Sequence, residues 1–279
     1  MTNDSRRRIA VWDTSALSRL AALKGSDELI AQMRMAHDHW VPRYVLDEIA
    51  STSSNIPRDR LLCVCRKLTF SPGRILPHPA DFIRAGVLMF DAVGLIDWEI
   101  LLESVPEYQQ SLSSKIFDDN LARTQHPQMR QNLELFEEYC VRTRPMFTSL
   151  FADCTTVNEV VGAARSKGVL KANVAYYCSR ILGHEVDSKF VAEFSQAFPP
   201  IESHICAFLA GHFLRKDHEE NADPVGALDL MAAAYLPTCD LYVSDDHPQQ
   251  QILRDVVKSC SFQTEVVWFN GGFRKRFRK

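Results

Sequence analysis

Short apolar runs alternate along this chain with longer amphipathic stretches. Ile9-Ala10-Val11-Trp12 follows Arg6-Arg7-Arg8 and stops at Asp13. A run that short, bounded by polar residues, fits a buried strand, and Asp13-Thr14-Ser15 fits the turn from a strand into a helix. Residues 16–24 and 26–38 read as helices separated at Gly25-Ser26, with Ser26 as N-cap and Asp27 and Glu28 in the first turn. Trp40-Val41-Pro42 is a second strand, followed by a helix from about Tyr44 to Ser51 and a loop from Ser51 to Pro57. Strand character returns at Leu68-Thr69-Phe70 and at Arg74-Ile75-Leu76.

From residue 80 to 215 the pattern is mainly helical, cut by Pro106, Pro127, Pro145 and Pro199-Pro200. Asp223-Pro224 then pairs a preferred N-cap with a preferred first helical residue, predicting a helix that runs to Leu236 and stops at Pro237. Leu241-Tyr242-Val243 is a strand leading into Ser244-Asp245-Asp246. A helix is expected over 249–259, and Glu265–Phe269 is the last strand, closed by Gly271-Gly272. Strands alternating with helices predict an α/β fold with a central parallel sheet.

At 279 residues, with 46% hydrophobic and 24% charged positions, the chain has the make-up of a globular protein with a sizeable core. Disordered, collagen-like and coiled-coil classes are excluded. No apolar stretch is long enough for a signal peptide or a membrane span, so a cytoplasmic protein is expected. The eight cysteines form no C-x-x-C pair, which fits reduced thiols in that compartment and disfavours a zinc site. The net charge of −3 hides a concentration of bases at the C-terminus, where Arg274, Lys275, Arg276, Arg278 and Lys279 surround Phe277. Bases interleaved with Phe can pair phosphates and stack on nucleobases; a solvated solubility tail is the competing reading.

In open parallel sheets, ligands bind beyond the carboxyl ends of the strands. Asp13 ends the first predicted strand, and Asp245 and Asp246 follow a later one. Asp229 lies in a strongly apolar helical segment whose neighbours Gly226, Ala232 and Ala233 are all small, an unfavourable place for a lone carboxylate. Glu48 falls one turn into the helix after the second strand. Gathered together, such acids repel by about 4 kcal/mol per pair at ~4 Å and an effective dielectric of about 20. A hard cation removes that repulsion, and oxygen-only ligation suits Mg²⁺ or Mn²⁺.

These segments resemble the motifs of the PIN-domain nucleases. Val11-Trp12-Asp13-Thr14-Ser15 is similar to the first motif, a strand ending in Asp-x-Ser/Asn. The stretch from Val41 to Ile49 resembles the second, with the acid on Glu48, and Asp229 with its following alanines resembles the third. Ser244-Asp245-Asp246 resembles the fourth, Thr/Ser-x-Asp, with the acid on Asp246. The resemblance implies a Rossmann-like PIN fold that cleaves RNA at a Mg²⁺ or Mn²⁺ site. Asp13, Glu48, Asp229 and Asp246 would be its catalytic and metal-holding acids, with Ser15, Ser244 and Asp245 in support. It implies a nuclease core made of residues 1–79 and 216–279, split by a helical insertion over 80–215, which the compact members of that family lack.

No H-E-x-x-H, G-x-S-x-G or phosphate-loop motif is present, and no glycine-rich fingerprint follows the first strand. Two readings stand at this point. One is a metal-dependent endoribonuclease acting on RNA, a toxin or defence effector among its forms, with room for an inhibitory protein partner and for a homo-oligomer. The other is a non-catalytic RNA-binding or protein-interaction module on the same fold. All four acids being present favours the first.

Overall fold

A computed structural model describes residues 7–52, 55–70, 73–103, 138–214 and 226–277. Strand β1 spans Arg8–Trp12, β2 His37–Pro42, β3 Arg74–Leu76, β4 Leu241–Ser244 and β5 Glu265–Trp268. They form one five-stranded sheet in the order β3-β2-β1-β4-β5, and every pairing is parallel. The strands are buried almost throughout, as parallel strands covered on both faces must be. Strand order reverses between β1 and β4, so the carboxyl ends of these two flank the crevice where such sheets bind ligands.

Helices α1 (Thr14–Ala21), α2 (Ser26–Ala36), α3 (Arg43–Ser51) and α4 (Asn55–Thr69) pack on one another around β1 and β2. Helix α5 (Pro79–Val93) and the short α6 (Trp98–Leu101) follow β3. Residues 138–150 are helical. Then come α7 (Val157–Ser166), α8 (Val169–Leu182), α9 (Ser188–Ala197) and α10 (Pro200–Leu214). Helix α11 (Ala227–Met231) runs on as a 3₁₀ segment over Ala232–Thr238, and α12 (His247–Cys260) joins β4 to β5. One hydrophobic core includes Trp12, Val41 and Val243 of the sheet together with Phe82, Val161, Val174, Phe198 and Ile205 of the 80–215 region. That region therefore shares the sheet's core, with a small satellite cluster of Phe147, Phe151, Val160 and Ala164 beside it. Among the described residues no helix is long and apolar enough to cross a membrane, and all eight cysteines are free thiols.

Several boundaries differ from the sequence reading. Leu68 and Thr69 are helical: Leu61, Cys65 and Leu68 form one buried stripe at helical spacing, and Thr69 Oγ1 donates to the Cys65 carbonyl at 2.8 Å. A short apolar run does not distinguish a strand from a helix's buried face. Helix α2 is preceded not by a side-chain cap from Ser26 but by Gly25 at φ 74°, a left-handed turn that a residue without a β-carbon enters at little cost. Asp223 and Pro224 lie outside the described residues. The helix expected up to Leu236 is α only to Met231 and 3₁₀ beyond, with Pro237 inside it. Helix α12 starts at His247, two residues early, because Asp246 caps it and Pro248 occupies its first turn.

Candidate acidic site

The four predicted acids meet at the reversal point of the sheet. Asp13 follows β1 and caps α1: its Oδ2 accepts from Ser15 N at 3.0 Å and from Ser15 Oγ at 2.6 Å. Asp246 caps α12, its Oδ1 accepting from Gln249 N at 2.8 Å. Asp229 sits in the first turn of the five-residue α11 rather than in a helix interior, and its Oδ2 accepts from Gly226 N at 2.9 Å. Glu48 reaches from α3 to take the Thr14 hydroxyl at 2.5 Å on Oε2. In each acid one oxygen serves the local fold. The second oxygens of Asp13 and Asp229 both face the same donor, Nε2 of Gln249, at 3.4 and 3.3 Å.

Burial and mutual repulsion raise the proton affinity of this group. The Asp13 carboxyl is pushed up by burial against the hydrogen bonds from Ser15 and Gln249. Burial pushes Glu48 up to about 7, the Thr14 hydroxyl opposing and the Asp13 charge adding to the rise. Asp229 is pushed up to about 8, by burial first and then by the charges of Asp13, Glu48 and Asp246. The nearby ion pairs lie elsewhere: Arg19 Nε with Asp245 at 2.9 Å, and Arg43 with Asp47 and Asp81. Below the carboxylates, Tyr242 Oη lies 3.2 Å from Tyr44 Oη and accepts from Gln249 Nε2 at 3.5 Å. Burial holds both phenols well above their ordinary range, so they remain neutral.

The supporting residues divide. Ser15 Oγ accepts from Asp245 N at 2.8 Å, and Ser244 Oγ donates to Gln249 Oε1 at 2.8 Å and accepts from Asp246 N at 3.0 Å. Asp245 turns away from the cluster. Its oxygens take Arg19 Nε, Asn270 N and Asn270 Nδ2, so its carboxylate ties the rim instead of joining the acids. Gln249 is the residue that sequence reading missed. Asp246-His247-Pro248-Gln249 carries the D-x-x-Q spacing of a capping box. Its amide turns inward instead, to the acids and to Ser244.

Oxygen-only donors at one crevice match the chemistry of a hard cation, and the charges of Asp13, Glu48 and Asp246 already act on Asp229 there. Among the described residues no set of three or more His, Cys, Asp or Glu side chains stands in a ready-made metal-binding arrangement. Gln249 Nε2 is the donor that lies between Asp13 and Asp229.

The basic C-terminus is not a free tail. A π-helical turn over Phe269–Phe273 and a 3₁₀ turn over Arg274–Phe277 fold it back on the sheet. Phe273 is fully buried, edge-on to Trp12 with centroids 5.6 Å apart, and Phe277 meets Phe273 edge-on at 5.2 Å. Arg276 pairs with Glu265, which Arg8 also reaches at 3.6 Å. Lys275 is exposed and Arg274 partly so, while Arg278 and Lys279 lie outside the described residues.

No known protein family, curated protein or solved structure matches this chain.

Proposed function

We propose that this protein is a PIN-type endoribonuclease that hydrolyses RNA phosphodiester bonds with Mg²⁺ or Mn²⁺. The observation that carries the reading is the convergence of Asp13, Glu48, Asp229 and Asp246 at the crevice between β1 and β4, where burial first, and then the charges of the other three acids, push Asp229 up to about 8. Asp13, Asp229 and Asp246 would hold the ion with Glu48. A bound ion there supplies Lewis-acid stabilisation of phosphoryl charge and a water of lowered pKa. Glu48, anchored through Oε2 by Thr14, orients the attacking water. Ser15 and Ser244 fix the carboxylates in place, and the neutral phenols of Tyr44 and Tyr242 close the floor of the site without adding charge. The same fold admits an effector held in check by a protein inhibitor.

The test is cleavage of single-stranded RNA by the purified protein in Mn²⁺ or Mg²⁺, beside Asp13→Asn and Asp229→Asn. Cutting that stops with chelator and in both variants supports the reading; cutting that survives either overturns it. A non-catalytic RNA-binding or protein-interaction module is the second reading, favoured by the Gln249 amide that already bridges Asp13 and Asp229. Binding of RNA without cutting in either metal would select it.

A further inference from the structure

Trp268, the last residue of β5, is 47% exposed, whereas Phe269 and Phe273 just after it are fully buried and Phe277 is partly buried. It is paired in register with Ser244, so its backbone lies level with the acidic site, about two interstrand spacings (~10 Å) from the end of β1. Its ring is not loose. The backbone of Gly271 packs on its six-membered ring so closely that a β-carbon at 271 would stand 2.1 Å from Cε3 and 2.6 Å from Cδ2. That contact is possible because residues 269–273 form a π-helical turn, pinned at both ends by Phe269 and Phe273.

The same turn is tied to the acids. Asn270 donates from N and Nδ2 to Asp245 at 3.2 and 3.0 Å, and Asp245 N donates to Ser15 Oγ, which binds Asp13. Arg19 joins this rim through the Nε bond to Asp245 while its side chain stays 65% exposed. A rigid indole backed by glycine, an oriented guanidinium and a carboxylate cluster thus lie along one edge of the sheet.

We infer that Trp268 is the stacking platform for an unpaired nucleobase of the RNA beside the acidic site, with the Arg19 guanidinium meeting the adjoining phosphate. The inference rests on the proposed ribonuclease reading and assigns that site a base-binding position. A duplex hides its base faces, whereas a single strand can lay one on an aromatic ring without any demand on base identity. Phosphate contact by Arg19 adds charge without sequence preference.

The test measures binding of a short single-stranded RNA, and of the same oligomer carrying one abasic position moved along it, in the Asp13→Asn background that keeps the strand intact. Trp268→Ala is expected to weaken binding about tenfold, Trp268→Phe to retain most of it, and Gly271→Ala to behave like Trp268→Ala by displacing the ring. One abasic position should cost the Trp268 protein affinity and leave Trp268→Ala unmoved. Equal affinity in Trp268→Ala and its parent, with the parent binding RNA, overturns the platform and leaves the ribonuclease reading standing. If the unsubstituted protein neither binds nor cuts single-stranded RNA, both fall together.

Discussion

Raising the pH of the metal-free protein from 7 to 8.5 should destabilise it, with Asp229 as the main cause. Its carboxyl titrates at about 8 in the fold against an ordinary 3.8. A folded-state value raised in this way contributes stability that is complete below pH 3.8 and is lost as pH rises through 8. Glu48, pushed up from 4.5 to about 7, adds the same sign of change at slightly lower pH. Buried histidines act in the opposite direction. His39 and His204 are lowered to about 4, so their contribution is present above pH 6.5 and is lost on acidification. Buried thiols such as Cys178, raised to about 11, lose stability only in more alkaline solution. Cys260, its thiol lowered by the hydrogen bond with Cys206, acts in the opposite sense to the acids, so the acids are read over pH 7 to 8.5 as the difference between the parent and Asp229→Asn.

Each pH unit between the unfolded and folded values of one group is worth about 1.4 kcal/mol, so Asp229 alone should remove on the order of 1–1.5 kcal/mol over this interval. For a chain of this size that is a fall of roughly 2–3 °C in Tm. Thermal melts in chelator at half-unit steps of pH read it directly. In Asp229→Asn the fall should shrink to the residue left by Glu48, and at pH 8.5 the variant should melt above the parent although it cannot cleave. Metal at about a hundred times its Kd should return about 2.7 kcal/mol to the parent and little to Asp229→Asn. A Tm that is flat or rises between pH 7 and 8.5 without metal, or an equal fall in Asp229→Asn, would refute the claim that burial and its acidic neighbours hold Asp229 protonated in the fold.

Gln249→Ala should cost about 1–3 kcal/mol in stability, because the Ser244 hydroxyl and two buried carboxylates lose a shared partner, and denaturant titration measures it. Phe273→Ala removes a fully buried ring from against Trp12 and His37 and should cost about 3–5 kcal/mol, with Trp fluorescence following the loss. Removing the exposed Lys275 should lower the salt dependence of RNA binding by about one phosphate contact, whereas Arg276→Ala should leave the slope nearly unchanged because Arg276 is already paired with Glu265.

The strands and the acids at their ends were legible because local chemistry alone sets them apart. Ile9–Trp12 is stopped directly by Asp13, and Leu241–Val243 runs through Ser244 into Asp245 and Asp246, so in an alternating chain the two runs bring Asp13 and Asp246 to one sheet edge. Sequence could not show how the carboxylates are held. Asp229 looked anomalous as an acid inside a helix; the anomaly disappears once α11 begins at Gly226, whose N–H the side chain takes up. Gln249 was hidden by its own spacing, since a capping-box pattern gives no sign that the amide will face the core instead of the helix end. The basic tail read as a nucleic-acid contact or a solvated charge run because charge is a property of the segment, whereas its docking depends on Phe273 and Phe277 meeting Trp12 and His37 from distant strands.

Those differences share a physical cause that bears on how the site is made. Asp13 and Asp246 are helix caps and Asp229 caps its own first turn, so each gives one oxygen to backbone or hydroxyl donors that the fold must satisfy in any case. Positioning is thereby part of secondary-structure formation, and no separate scaffold is needed to hold the acids. The cost is repulsion among the oxygens that remain, which Gln249 offsets for Asp13 and Asp229 through its amide. A cation entering between these two carboxylates must displace that amide, and Ser244, bonded to Gln249 Oε1, must release it in turn. Gln249→Ala should therefore bind Mn²⁺ more tightly than the parent while folding less stably, a pair of opposite changes that isothermal titration and denaturant melts read separately. Weaker Mn²⁺ binding in that variant would mean that the amide supports the metal-bound arrangement instead of competing with it.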